Sequence, residues 1–181
     1  MKRNVLIASA LALGLAIPLG ASAKFESAGD EDVRFLALGP AGMKINGKAS
    51  DLTASESGGK LKIKVPVDDL KTGIGLRDKH LKKYIKSDTH KTAVLEVDRS
   101  KLKLPGDKKT VTGSATGSLT LAGVTKPLKI TYKAKRTGSD FHVQGRATVD
   151  IRHHDIEVPC YLGVCVDPEI KLKVKFKLRD K

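Results

Sequence analysis

Residues 170–178 read Ile170-Lys171-Leu172-Lys173-Val174-Lys175-Phe176-Lys177-Leu178, an unbroken alternation of apolar and cationic side chains. Successive side chains on an extended strand point to opposite faces, so this segment belongs in a sheet with one face buried and one wet. The same period recurs along the chain. Leu61, Ile63 and Val65 alternate with Lys60, Lys62 and Lys64, and Leu128, Ile130 and Tyr132 oppose Lys129 and Lys133. Ala93, Leu95 and Val97 form a shorter run. Phe141, Val143, Ala147, Val149 and Ile151 form a longer one, as do Val111, Gly113, Ala115, Gly117, Leu119 and Leu121. Residues 33–38 and 43–49 are less regular but are also expected as strands, which brings the total to about eight. Breakers stand between the runs: Ser57-Gly58-Gly59, Pro105-Gly106-Asp107, Ala122-Gly123 and Thr137-Gly138-Ser139-Asp140. Connections this short join antiparallel neighbours. One segment breaks the period. Leu76, Leu81, Tyr84 and Ile85, with charges between them, predict a short helix over 76–85 that lies across the end of the sheet or plugs a barrel.

The N-terminus is read separately. Lys2 and Arg3 precede an apolar run over residues 5–19, and Ala21-Ser22-Ala23 has the small-x-small form of a cleavage site. These are the parts of a secretory signal peptide cleaved after Ala23, and the run is short for a membrane span. Removing 23 residues from 181 leaves 158, enough for one domain over 24–181. A periplasmic or secreted location is expected. Residues 24–32 are polar and acidic at their end and are expected to be disordered. The formal charge of +14 falls to +12 with the loss of Lys2 and Arg3, since that segment holds no acid. A basic balance points to anionic partners. With no Trp, three Tyr and four Phe, the chain lacks the stacking platforms of a single-strand nucleic-acid binder, so no nucleic-acid partner is expected. Cys160 and Cys165 form an even pair in an exported chain, and a local disulfide is favoured over a redox motif, which would space them Cys-x-x-Cys.

Eight antiparallel strands with one apolar face form a sandwich or a closed barrel, and closure removes exposed edges. An eight-stranded barrel is wide enough to be filled by side chains or to hold one small ligand. Gly113, Ala115, Gly117, Gly145 and Ala147 are small at inward positions. They either admit a ligand or let a curved sheet bend.

Further spacing narrows the choice. Thr72-Gly73 precedes Arg77-Asp78-Lys79-His80-Leu81; Gly117-Ser118-Leu119-Thr120-Leu121-Ala122-Gly123-Val124-Thr125-Lys126-Pro127 follows; Gly145-Arg146-Ala147-Thr148 leads to Arg152 and Asp155; Tyr161-Leu162-Gly163-Val164 precedes the last strand. In order and spacing the chain resembles the YceI-like polyisoprenoid-binding proteins of the bacterial envelope. It departs from their pattern at residues 39–43, which lack a His and an aromatic, and in carrying the cysteine pair. The resemblance implies an all-β fold: an eight-stranded antiparallel lipocalin-like β-barrel with one short helix in a loop. It also implies a hydrophobic cavity for an isoprenoid or similar long amphiphile, with no cofactor and no covalent chemistry. Phe35, Ile45 and Ile63 are expected to touch such a ligand, and Arg77, Lys79, Arg152 or His153 to meet a phosphate head. The alternative is an envelope stress or interaction protein with a filled barrel that acts through its cationic exterior. The outward Lys rows serve solubility or docking to an anionic membrane surface. The oligomeric state is left open, a dimer included.

Other constellations carry less. His153-His154-Asp155, joined by His80, His90 or His142, would be a metal site only if neighbours on a strand shared a face, and a solvated strand end is expected instead. Asp68, Asp69 and Asp78 read as loop and capping residues rather than paired acids. No nucleophile elbow, P-loop or dinucleotide fingerprint is present, and an enzyme is not expected.

Overall fold

The computed structural model describes residues 24–180; the signal-peptide reading of residues 1–23 lies outside the described residues. The strands are β1 (Phe25–Ser27), β2 (Asp32–Leu38), β3 (Lys44–Ala49), β4 (Thr53–Ser57), β5 (Lys60–Pro66), β6 (Thr92–Asp98), β7 (Thr110–Leu121), β8 (Val124–Thr137), β9 (Asp140–Asp150), β10 (Cys160–Tyr161), β11 (Val164–Cys165) and β12 (Glu169–Asp180). One helix, α1 (Gly75–Tyr84), joins β5 to β6.

Every pairing is antiparallel, and β1-β4-β5-β6-β7-β8-β9-β12 closes on itself because β1 also pairs with β12. The result is a closed eight-stranded antiparallel barrel. Two of its strands are broken. β1 lies against the end of β12, Phe25 opposite Asp180, while β2 lies further back along the same strand, Val33 opposite Val174. β3 pairs with β2 and β4 with β1, so β3 and β4 form the next row in the same two pieces. β4 continues the barrel into β5, whereas β3 is tied to the loop after β5 by the two Lys48–Lys71 backbone hydrogen bonds, each 2.9 Å. The wall is therefore continuous at one end and splayed at the other.

The narrow end is packed. Phe25 meets Phe141 edge to face at 5.1 Å, and Phe176, Leu178, Leu52 and Leu61 close around them. The Arg99 guanidinium lies 4.2 Å from the centre of the Phe25 ring and pairs with the buried Glu56 carboxylate. Tyr132 ties the 99–109 loop across this end: its hydroxyl accepts from Lys103 N at 2.6 Å and lies 3.3 Å from Lys103 O. At the other end α1 lies across the opening with no residue of its own buried. Leu81 and Tyr84 rest against Val67, Ile85, Ile151 and Ile156.

Two expectations need correction, and one strand went unread. Residues 24–32 are not a disordered lead. Phe25 is 2% exposed and β1 closes the barrel. A strand of three residues is too short to show a period, so its composition hid it. Residues 53–57 were not legible as a strand because β4 turns Ala54 and the charged Glu56 inward. His153-His154-Asp155 is not a solvated strand end. Residues 151–154 form a 3-10 turn that buries His154, whose Nδ1 sits 3.0 Å from Val124 O.

Candidate ligand-binding site

Alternation dictates which side chains face inward, and side-chain size dictates whether they meet. Along β12, Phe176 and Leu178 are buried, but Leu172 and Val174, which also face inward, remain half-exposed. Ile63 and Val65 on β5, Leu95 on β6, Ile130 on β8 and Val143 on β9 behave likewise. Inward residues stay accessible only if the space they face is empty. That space is a cavity of about 970 Å³ running from the Phe25, Tyr132 and Phe176 floor to the splayed end. It lies at the upper end of the range for small-molecule sites. At about 30 Å³ per water-sized group, it holds on the order of 30 carbon atoms.

The walls are aliphatic almost throughout. Phe35, Ile45 and Ile63, the three positions expected to touch a ligand, all line the cavity. The Phe35 ring lies flat on β3 over Gly47, its register partner; a Cβ at Gly47 would fall 2.1 Å from the ring. Aromatic cover of a strand glycine fixes both the ring and the register.

The small residues on β7 do something other than the ligand reading supposed. A Cβ at Gly113 would lie 2.6 Å from the Tyr132 hydroxyl, and one at Gly117 would lie 2.5 Å from the Glu96 carbonyl oxygen. These glycines admit Tyr132 and strand β6, and neither they nor Ala115 line the cavity. Gly145 and Ala147 on β9 do line it, although Val174 stands 2.8 Å from where a Gly145 Cβ would be.

Polar groups gather at the mouth. Thr72, Arg77 and His80 line the cavity there. The Thr72 amide and hydroxyl donate to Asp78 Oδ1 at 2.7 and 2.5 Å, and Arg77 donates from Nε to Thr72 Oγ1 at 2.8 Å and from Nη2 to Thr72 O at 3.0 Å. The two Thr72 hydrogen bonds hold the Asp78 carboxyl below its usual range, and the Arg77 charge adds to this. Asp78 therefore anchors the loop before α1 rather than capping the helix. The clamp engages Nε and Nη2 of Arg77 and fixes its guanidinium at the mouth. His80 stands one turn further along α1. Of the other head-group candidates, Lys79 and His153 are exposed and off the cavity wall, and Arg152 is bound to Asp150, 2.6 Å away through Nη2. His80 lines the mouth although the sequence reading did not place it there; its i, i+3 spacing from Arg77 on a helix was the available signal. Among the described residues no group of His, Cys, Asp and Glu is arranged to hold a metal ion, and no helix is long and apolar enough to cross a membrane.

The YceI-like domain family matches residues 30–178, and the chain belongs to that family. No curated protein matches it at a significant level. Among solved structures it is similar to a polyisoprenoid binding domain from Saccharophagus degradans implicated in plant cell wall breakdown (TM-score 0.74, 13% identity, 87% of this chain and 98% of that one). It is also similar to Burkholderia cenocepacia BcnA (TM-score 0.66, 12% identity, 81% and 95% covered) and to the Campylobacter jejuni YCEI protein (TM-score 0.59, 15% identity, 77% and 86% covered).

Proposed function

We propose that the chain is an exported binder of an isoprenoid or similar long apolar amphiphile, held in the barrel cavity with its head at Arg77 and His80. The observation that carries this reading is the cavity of about 970 Å³, whose aliphatic wall meets polar side chains chiefly at its mouth. A long hydrocarbon gains roughly 0.8 kcal/mol for each buried CH₂ on leaving water. Net affinities of larger ligands are closer to about 0.3 kcal/mol per atom, so roughly 30 carbons give about 9 kcal/mol, or sub-micromolar binding. The Cys160–Cys165 disulfide supports a periplasmic or secreted location. The open interior supports this reading over the alternative, an envelope stress or interaction protein with a filled barrel that acts through its cationic outer surface. Phe35, Ile45 and Ile63 are the wall contacts of the proposed ligand.

Native mass spectrometry of the protein purified from its own cells, and again after incubation with a polyprenyl alcohol or a polyprenyl phosphate, tests this. The expected result is a stoichiometric apolar adduct, with the phosphate favoured over the alcohol by several-fold and the preference lost in Arg77→Gln. Ligand-free spectra under every condition would remove the proposal.

A further inference from the structure

The mouth of the cavity is ringed by exposed aliphatic side chains from three separate segments. Met43 stands before β3, Ile74 and Leu76 stand at the start of α1, and Leu162 and Val164 stand on the β10–β11 hairpin; all five are exposed, and all five line the cavity. The hairpin is held by the Cys160–Cys165 disulfide. Its turn residues are Leu162 and Gly163, with φ of 49° and 77°. A turn with two positive φ values favours Asn-Gly, since a left-handed backbone strains a branched side chain. The β7–β8 turn has the same form, with Ala122 and Gly123 at 50° and 82°, but Ala122 is 5% exposed and packs in the core. Leu162 is 84% exposed, so its strained position has no compensating packing inside the fold.

Charge indicates what covers this ring. α1, which forms one side of the mouth, carries Arg77, Lys79, Lys82 and Lys83 against the single acid Asp78, and that carboxylate is already engaged by Thr72. A second copy would bring this cationic side toward its own kind. An anionic lipid surface complements it, and a bilayer also supplies hydrocarbon for the aliphatic ring.

We propose that the mouth seats on an anionic bilayer with Leu162 inserted among the acyl chains, so that the cavity opens directly into hydrocarbon. The proposal rests on the apolar-ligand reading and adds the route by which such a ligand enters without crossing water. The barrel walls, with their Lys rows, stay in solution. Burying one leucine strengthens binding roughly tenfold or more, and each cation near an anionic surface contributes about fivefold.

The test is flotation of the chain lacking residues 1–23 with phosphatidylcholine vesicles, with and without phosphatidylglycerol. We expect binding that requires the anionic lipid, weakens in salt and falls at least tenfold in Leu162→Asn. Asn accepts the left-handed turn, so thermal stability should hold or rise in that variant. Lys173→Gln with Lys175→Gln on the wall should leave binding within about twofold of normal, the change expected when screened charges distant from the contact are removed. The chain has no Trp, so Leu162→Trp reports alone. Its emission should move to the blue with vesicles and be quenched by brominated acyl chains. Absent vesicle binding, binding lost with the wall lysines but not with Leu162, an unchanged Trp spectrum, or a dimer in lipid-free solution that Leu162→Asn dissolves would each overturn the proposal. Uptake of an apolar naphthylamine dye in lipid-free solution reads the cavity separately. Dye uptake without vesicle binding would refute only the docking, whereas absence of both would refute the ligand reading as well.

Discussion

If the cavity reaches Ala147 on β9 but not Gly113 on β7, small-to-large substitutions at these two positions must behave in opposite ways. Ala147 faces inward between Ile130 on β8 and Leu172 on β12, and all three line the cavity. Ala147→Phe adds a ring of six carbons, or roughly 180 Å³ at about 30 Å³ each, nearly a fifth of the space. The ring points into a void and displaces no neighbour, so stability should hold or rise. A ligand that fills the cavity would lose contact for about six atoms, which at about 0.3 kcal/mol per atom is roughly 2 kcal/mol, or thirtyfold in affinity. Gly113→Ala adds one methyl group, yet its Cβ would sit 2.6 Å from the Tyr132 hydroxyl and 2.7 Å from Cζ. Tyr132 cannot swing away without losing Lys103 N, 2.6 Å from its hydroxyl. Overpacking of this kind costs about 1–3 kcal/mol; Gly113 itself lies off the cavity wall and reaches it only through Tyr132 at the floor, so ligand affinity should fall far less than in Ala147→Phe. Urea unfolding followed by far-ultraviolet circular dichroism gives the stabilities, and displacement of a naphthylamine dye by a long polyprenyl alcohol gives the affinities. The reasoning fails if Ala147→Phe is strongly destabilising with affinity intact, or if Gly113→Ala is neutral for folding and weakens binding.

Phe25→Ala should cost about 3–5 kcal/mol in the same unfolding experiment, because a 2%-exposed ring is lost from the packed end; a change below about 1 kcal/mol would show that β1 is not part of the core. Arg99→Met would strand the buried Glu56 carboxylate and should cost about 3 kcal/mol, with much of the loss recovered in the double variant with Glu56→Gln. Asp150 is held down to about 2, first by the side-chain hydrogen bond from Arg152 and then by its backbone amide and charge, against the penalty of desolvation. A depressed carboxyl stabilises the fold at pH above its ordinary value of 3.8, and that contribution disappears as pH falls toward 2. Carboxyl NMR should place the Asp150 midpoint near 2 in the native chain and higher in Arg152→Gln; equal midpoints would refute the pairing.

The barrel was legible because its long strands bury one face over many residues. In β12, β8 and β9 an alternation of polar and apolar positions fixes both conformation and inward face. Legibility failed where a strand is short or turns a polar group inward. β1 has three residues, and β4 places Glu56 inside because Arg99, 43 positions away, answers it. No local pattern carries a partner at that distance. The site was legible by face and illegible by depth. Phe35, Ile45 and Ile63 could be placed on inward positions, but whether an inward residue meets a neighbour or a void depends on residues across the barrel. Gly113 and Gly117 show the consequence: their small size is matched by Tyr132 and β6, not by open space.

The hollow therefore needs a cause other than missing side chains on β7, and the distribution of aromatic residues supplies one. The width of an eight-stranded barrel is set by strand number and stagger, not by what it contains. Phe25, Phe141, Phe176 and Tyr132 are gathered toward one end, and Phe25 and Phe141 meet across the axis at 5.1 Å. Arg99 and Arg136 stack on the outer rings, with guanidinium carbons 4.2 and 5.0 Å from the Phe25 and Phe141 centres. Beyond this plug the inward positions are Ile63, Val65, Leu95, Ile130, Leu172 and Val174. Branched aliphatic side chains are shorter than phenyl rings and leave the axis empty where strand spacing is unchanged. Phe35, the remaining phenylalanine, does not fill it because Gly47 lets its ring lie against the wall. A chain with few aromatics, four of its seven committed to one end, thus makes a barrel closed there by ring packing and open at the other, where the aliphatic wall leads to the rim formed by Met43, Ile74, Leu76, Leu162 and Val164.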